Sequence, residues 1–239
     1  MPSEPVVILT RPHGQNARLA ARLAAYGIAS REMPCVEVRP LEDHSSLRDA
    51  MRALTGDDLL VITSRAGARA VATALGGEAC AAPVAAVGAA TASACRDAGL
   101  RVTFTPSVPS GAALATQVPV PRGAILLARS DRAAPEPAAI LAGRGAKVGE
   151  IVAYRTAPVA PRETVPAGAV VVFASPSAVD GFALSGATDL AGAVAIGESA
   201  ALRVRTVLGM EARVAAPDDD EIVAAVRALV REMDAVAGR

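Results

Sequence analysis

The chain has 239 residues, 52% of them hydrophobic and 20% charged, with 24 basic residues set against 24 acidic ones. That length holds one large domain or two small ones, and the balanced charge argues against a general nucleic-acid binder, which would show a basic excess. The mean hydropathy of +0.36 comes from Ala, Val and Leu, and the longest uncharged stretch, Val102–Pro121, is broken by Pro106, Pro109, Gly111 and Pro119, so an integral membrane protein is excluded.

The opening MPSEPVVILTRP carries Glu4 and no basic n-region, so no signal peptide is expected. Lys147 is the only lysine, and the remaining cations are arginines, whose planar fork suits carboxylates and phosphates. Cys35, Cys80 and Cys95 are odd in number and lack CxxC spacing. They argue against a disulfide framework and against zinc, and favour a reducing cytosol.

Short apolar runs recur in chain order at Val6–Thr10, weakly at Ile28–Met33, then at Leu59–Thr63, Val84–Val87, Val102–Thr105, Ala124–Ala128, Ala146–Ile151, Val170–Phe173, Ala193–Ile196 and Ala212–Ala215. Most are β-branched and do not alternate, as strands buried on both faces read. Helical spacing separates them: Leu19, Leu23 and Tyr26 fall on one face, as do Leu47, Met51 and Leu54. In the last helix Ile222, Val223, Val226, Leu229, Val230 and Met233 form an apolar stripe, and Asp218, Asp219 and Asp220 suit its N-terminus. Strand–helix alternation of this kind predicts an α/β protein with parallel sheets.

The chain also repeats itself. VVILTR (Val6–Arg11) is similar to AILLAR (Ala124–Arg129), and the same offset aligns Leu23 with Leu141, Gly27 with Gly145 and Pro40 with Pro158. VITSRAGA (Val61–Ala68) is similar to VFASPSAV (Val172–Val179), and AAVGAATASA (Ala85–Ala94) to VAIGESAALR (Val194–Arg203). Five strands per half, in the same order, indicate two copies of one α/β unit. Each half has its longest gap after its second strand, marked by prolines, around Pro40–Asp58 and Pro158–Gly168. Either each half is one domain, or the halves exchange parts and the chain crosses twice.

Several common chemistries are missing. There is no GxGxxG and no GxxxxGK[ST]. His13 and His44, the only histidines, have no acidic or histidine cluster around them, and both are expected to be exposed. What remains is a set of hydroxyl-rich strand ends: Thr10-Arg11-Pro12, Thr63-Ser64-Arg65, Gly88 to Thr91, Arg129-Ser130-Asp131, Ser175-Pro176-Ser177 and Gly197-Glu198-Ser199. Ligands of open parallel sheets bind at the carboxyl ends of strands, where helix N-termini present N–H groups to anions. Singly, each Ser or Thr reads as a plain N-cap. Six such turns in two copied units point to a polyanionic ligand held between two lobes.

Taken in order, LTRPxxQ (Leu9–Gln15), ITSR (Ile62–Arg65), VGxATA (Val87–Ala92), LxxRGAxVxExxxYRT (Leu141–Thr156), SPSAV (Ser175–Val179) and AIG (Ala195–Gly197) resemble the uroporphyrinogen-III synthase family over roughly Val6 to Val230. The resemblance implies two flavodoxin-like domains with parallel five-stranded sheets. Residues 1–36 and 160–239 would form one domain, and residues 41–152 the other. The crossings, 35–40 and 152–158, would form a two-stranded linker. It also implies a cyclising lyase of heme biosynthesis, acting as a cytoplasmic monomer without a cofactor. Such an enzyme converts hydroxymethylbilane, a linear tetrapyrrole with eight carboxylates, to uroporphyrinogen III, with loss of water and inversion of ring D.

On this resemblance Tyr154 is the candidate donor to the departing hydroxyl, and a purely packing role for it stays open. Arg11, Ser64, Arg65, Thr91, Arg129, Ser130, Ser175, Pro176, Ser177 and Ser199 would bind substrate, with no metal. Three departures stand out: Ala66 where Asn is frequent, GESAA (Gly197–Ala201) for GPTTA, and RSD (Arg129–Asp131) for RGE. The alternatives are a non-catalytic two-lobed protein binding an anion or tetrapyrrole, and a flavodoxin-like or response-regulator-like module, for which three Phe and two Tyr supply few stacking residues.

Overall fold

The computed structural model describes residues 5–237. In chain order the elements are β1 (Val7–Leu9), α1 (Ala17–Ala24), β2 (Ser30–Glu32), β3 (Val36–Pro40), α2 (Ser45–Ala53), β4 (Leu59–Ile62), α3 (Arg65–Leu75), β5 (Val84–Ala86), α4 (Ala89–Asp97), β6 (Val102–Phe104) and α5 (Gly111–Gln117). They continue with β7 (Ala124–Ser130), α6 (Glu136–Gly143), β8 (Lys147–Pro158), β9 (Ala169–Phe173), α7 (Pro176–Ala183), β10 (Leu190–Ile196), α8 (Glu198–Leu208), β11 (Arg213–Ala215) and α9 (Asp219–Ala237). Every apolar run therefore forms a strand. Among the described residues no helix is long and apolar enough to cross a membrane.

The chain divides into two compact units, with the boundaries between Glu37 and Val38 and between Thr156 and Ala157. The first unit contains a five-stranded sheet in the order β11-β10-β9-β1-β2, with parallel pairings throughout. Alternate strand residues enter different cores. Val7, Leu9, Val170, Val172 and Val194 meet Leu19 and Leu23 of α1 and Ile222 and Val226 of α9. Ile8, Val171 and Phe173 meet Val179 and Phe182 of α7 and Val204 of α8. Both faces are covered by helices, which is why these strands read as unbroken apolar runs. The Phe173 and Phe182 rings meet edge-on, 5.3 Å apart at 87°.

The second sheet has the order β3-β8-β7-β4-β5-β6. Leu60, Ile62, Ala128 and Ala153 pack on one face with Leu47 and Met51 of α2 and Val71 of α3. Leu59, Val61, Ile125 and Leu127 pack on the other with Leu114 of α5 and Leu141 of α6. The expected five strands hold for the first sheet, whereas this one has six. The reason lies in β8, which does not stop at Ile151 but runs unbroken to Pro158, so that β3 adds beyond it.

Two local expectations also change. Tyr26 lies past the end of α1 and is 55% exposed, with the Arg227 guanidinium 3.8 Å from its ring centroid. His13 is exposed as expected, but His44 is half-buried and its Nδ1 has no partner among the described residues.

Candidate functional site

The hydroxyl-rich turns do sit at the carboxyl ends of strands, and several cap the helix that follows. Ser64 caps α3, its Oγ accepting from the Gly67 N–H at 2.9 Å. Ser175 caps α7 in the same way, accepting from the Ala178 N–H at 3.2 Å, with Pro176 in the first helical position. Such caps satisfy amides that would otherwise lack acceptors. Thr91 and Ser177 lie within the first turns of α4 and α7 and are buried. Ser199 is exposed at the start of α8, behind Gly197, whose φ of +83° is open to glycine at little cost.

In the second unit the Ser64 Oγ lies 2.9 Å from the Tyr154 Oη. Tyr154 is half-buried against the core below α3. Burial holds its phenol above the usual range, the Ser64 bond opposes that, and the Asp131 carboxylate adds to it. Around it the end of β7 is tied to β8 by polar contacts. The Ser130 Oγ lies 2.7 Å from the Thr156 Oγ1 and donates to the Asp131 Oδ1 at 3.1 Å. The Thr156 N–H donates to the same Asp131 oxygen at 2.9 Å, and the Asp131 N–H donates to the Tyr154 carbonyl at 3.2 Å.

The arginines divide. Arg65 is exposed at the start of α3. Arg129 is only 6% exposed: it makes a 2.8 Å ion pair with Glu150 and donates to the Ala134 carbonyl. The charge is thus paired within its own unit, although Nη1, buried, lacks a hydrogen-bond partner of good geometry among the described residues. Arg11, in the first unit, donates from both terminal nitrogens to the Asp219 Oδ1 at 3.2 and 3.3 Å, and Arg18 donates to the Oδ2 at 2.6 Å. Burial raises the Asp219 carboxyl, but the two guanidinium groups outweigh it and hold the group below the usual carboxylate value. Thr10, fully buried, donates to the Val172 carbonyl at 2.7 Å and so ties β1 to β9.

The structure thus brings Ser64 to Tyr154, and it brings Ser130 to Asp131 and Thr156. Asp131, Thr156 and Asp219 were not among the expected site residues. The Asp218–Asp220 run reads only as helix-terminal charge until α9 is placed beside β1. Among the described residues no group of three or more His, Cys, Asp or Glu could hold a metal.

A family profile described as Uroporphyrinogen-III synthase HemD matches residues 17–224. A mutant uroporphyrinogen III synthase from the extreme thermophile Thermus thermophilus is similar in structure over 96% of this chain and 99% of its own, at 20% identity and a TM-score of 0.58. The uroporphyrinogen-III synthetase of Helicobacter pylori is similar over 98% of this chain and 100% of its own, at 15% identity and a TM-score of 0.53. At such identities the likeness establishes the fold. No curated protein matches the chain. With the profile spanning most of the sequence, including the Ser64 and Tyr154 turns, the chain belongs to the uroporphyrinogen-III synthase HemD family.

Proposed function

We propose that the chain closes hydroxymethylbilane to uroporphyrinogen III as a cyclising lyase, with Tyr154 as the proton donor to the departing hydroxyl. The observation that carries this is the 2.9 Å contact between the Ser64 and Tyr154 hydroxyls. The Gly67 N–H donates to the Ser64 oxygen, and in this proposal the serine O–H donates to the phenol oxygen. The phenol O–H is then directed outward, at the end of a chain of donors that begins at the positive end of α3. A phenol is protonated at neutral pH, as a donor requires, and burial moves its ionisation further up. The hydroxyl leaves as water with that proton, and the resulting azafulvene is the electrophile. The protein's remaining task is to hold ring A near the substituted carbon of ring D, so that closure goes with inversion.

The substrate's carboxylates suit the amide-lined turns of each unit. Arg65, exposed at the α3 terminus, is the guanidinium best placed to hold one. Arg11 offers less, since Asp219 shares its charge, and buried Arg129 serves the fold. We read the units as flavodoxin-like domains, 1–36 with 160–239 and 41–152, joined by linker strands. The strand order in support is β2-β1-β9-β10-β11 in one and β8-β7-β4-β5-β6 in the other. Numbered in chain order, the first follows the 2-1-3-4-5 pattern of that fold, and the second, 5-4-1-2-3, follows it as a circular permutation that starts from β7. Three free thiols support a cytoplasmic location, and sedimentation tests the monomer.

The deciding experiment is Tyr154→Phe, assayed by product isomers from enzymatically generated hydroxymethylbilane. Unassisted closure gives the type I isomer, so the variant should lower kcat by about 10²–10⁴-fold and shift product towards type I. A Phe variant with unchanged kcat and isomer ratio leaves Tyr154 as a packing residue and removes it from the chemistry.

A further inference from the structure

The second unit contains an irregularity that bears directly on Tyr154. Strands β7 and β8 pair in even register from Ala124↔Lys147 to Arg129↔Val152, but the next partners are Ser130 and Tyr154. Ala153 is therefore an extra residue without a partner, a β-bulge one step before the tyrosine. Up to that point β8 alternates as a strand must. Ile151 and Ala153 pack into the core shared with α2 and α3, whereas Val148 packs into the opposite core with α5 and α6. Strict alternation would send Tyr154 to the Val148 face, away from Ser64. Instead Ala153 and Tyr154, adjacent in sequence, pack into the same core. Bulges re-aim side chains in this way.

The bulge is held by a clamp. Asp131 accepts from the Thr156 N–H and the Ser130 hydroxyl through one oxygen, and its own N–H reaches the Tyr154 carbonyl. The carboxylate thereby ties Thr156, and the Asp131 backbone N–H ties Tyr154, to the end of β7. From this we infer that Asp131 is a positioning residue: by fixing the Ala153 bulge it turns the Tyr154 phenol onto Ser64, and it acts on the reaction only through that phenol. The inference rests on Tyr154 being the donor proposed above, but the placement of the ring can be tested without it.

The chain has no Trp and two Tyr, so a Tyr26→Phe background leaves Tyr154 as the sole phenol and its ionisation as a clean absorbance signal. Asp131→Ala should bring that ionisation down towards the ordinary tyrosine value, because the ring loses its buried seat. Asp131→Asn keeps the oxygen acceptor and should move it less, by the loss of charge alone. In the assay with native Tyr26, Asp131→Ala should lower kcat at least tenfold and raise the type I share, while Asp131→Asn restores most of both. In a Tyr154→Phe background Asp131→Ala should cause no further fall in kcat. A simple loss of stability would instead lower kcat in both backgrounds.

If Asp131→Ala leaves the Tyr154 ionisation unmoved, or lowers kcat as much without the phenol as with it, the positioning role is wrong. If Tyr154→Phe is silent while Asp131→Ala still shifts the ionisation, the placement stands and the donor role of Tyr154 fails.

Discussion

Gly181 offers a severe test of the packing in the first unit. It lies in α7, where an added Cβ would come 1.9 Å from the Cys35 carbonyl oxygen and 2.7 Å from that of Val159. Both obstacles are backbone, and the Val159 N–H donates to that same Cys35 carbonyl at 3.0 Å. A carbon–oxygen contact needs about 3.3 Å, so the helix or the crossing segment must give way by more than about 1 Å. Overpacking of this kind costs about 1–3 kcal/mol or somewhat more. A retreat of α7 also weakens the edge contact of Phe182 on Phe173, worth about 0.5–1.5 kcal/mol. Alanine's better helix propensity returns about 1 kcal/mol.

The net loss for Gly181→Ala is then about 2 kcal/mol, or about 4–8 °C in Tm for a protein of this size, measured by calorimetry or far-ultraviolet circular dichroism. Gly143→Ala is the control. Gly143 ends α6 and an added Cβ there meets nothing within 4 Å, so Tm should hold or rise. A Gly181→Ala protein that melts at or above the parent temperature would show that α7 does not approach the Cys35 carbonyl this closely.

Asp219, held below the usual carboxylate value by two guanidinium groups, contributes stability that is present above its unfolded pKa of about 3.9 and lost as pH falls through the depressed folded value. Asp219→Asn should therefore cost about 1–2 kcal/mol at neutral pH and flatten the stability profile below about pH 4, read by urea unfolding across pH. Burial pushes the Cys35 thiol up to about 12 and the Cys95 thiol up to about 11, so native protein at about pH 8 should leave both unlabelled by a thiolate-seeking reagent. Rapid native labelling of three thiols would refute this. Arg65→Ala should raise KM about tenfold with kcat little changed, whereas Arg129→Ala should lower Tm, because its guanidinium is engaged by Glu150 and Ala134. The reverse pattern would exchange their roles.

Much of the architecture is legible in the order of residues. The unalternating runs at Val7–Leu9, Leu59–Ile62 and Ala169–Phe173 form strands with helices on both faces, since an apolar residue at every position leaves no face for water. The duplication is visible because equivalent turns carry the same Gly, Arg and Ser types. Ser64 and Ser175 cap their helices because that chemistry spans three residues of contiguous chain.

Long-range placement is another matter. Tyr26 fits the spacing of α1 yet lies exposed beyond its end, where the helix has stopped two residues short of it. Arg129 lies near the end of a strand and Arg65 just beyond one, and their sequences do not distinguish the buried ion pair from the exposed cation. That Arg11 meets Asp219, 208 residues on, depends on β1 sharing a sheet with β10 and β11, against which α9 packs beside α1. Tyr154 reaches Ser64 through one unpaired residue in β8, and a slip of one residue reverses a side chain's face. Periodicity is set by neighbours along the chain. Register and the partners of charges are set by contacts between distant segments, and these exist only once the sheets have formed.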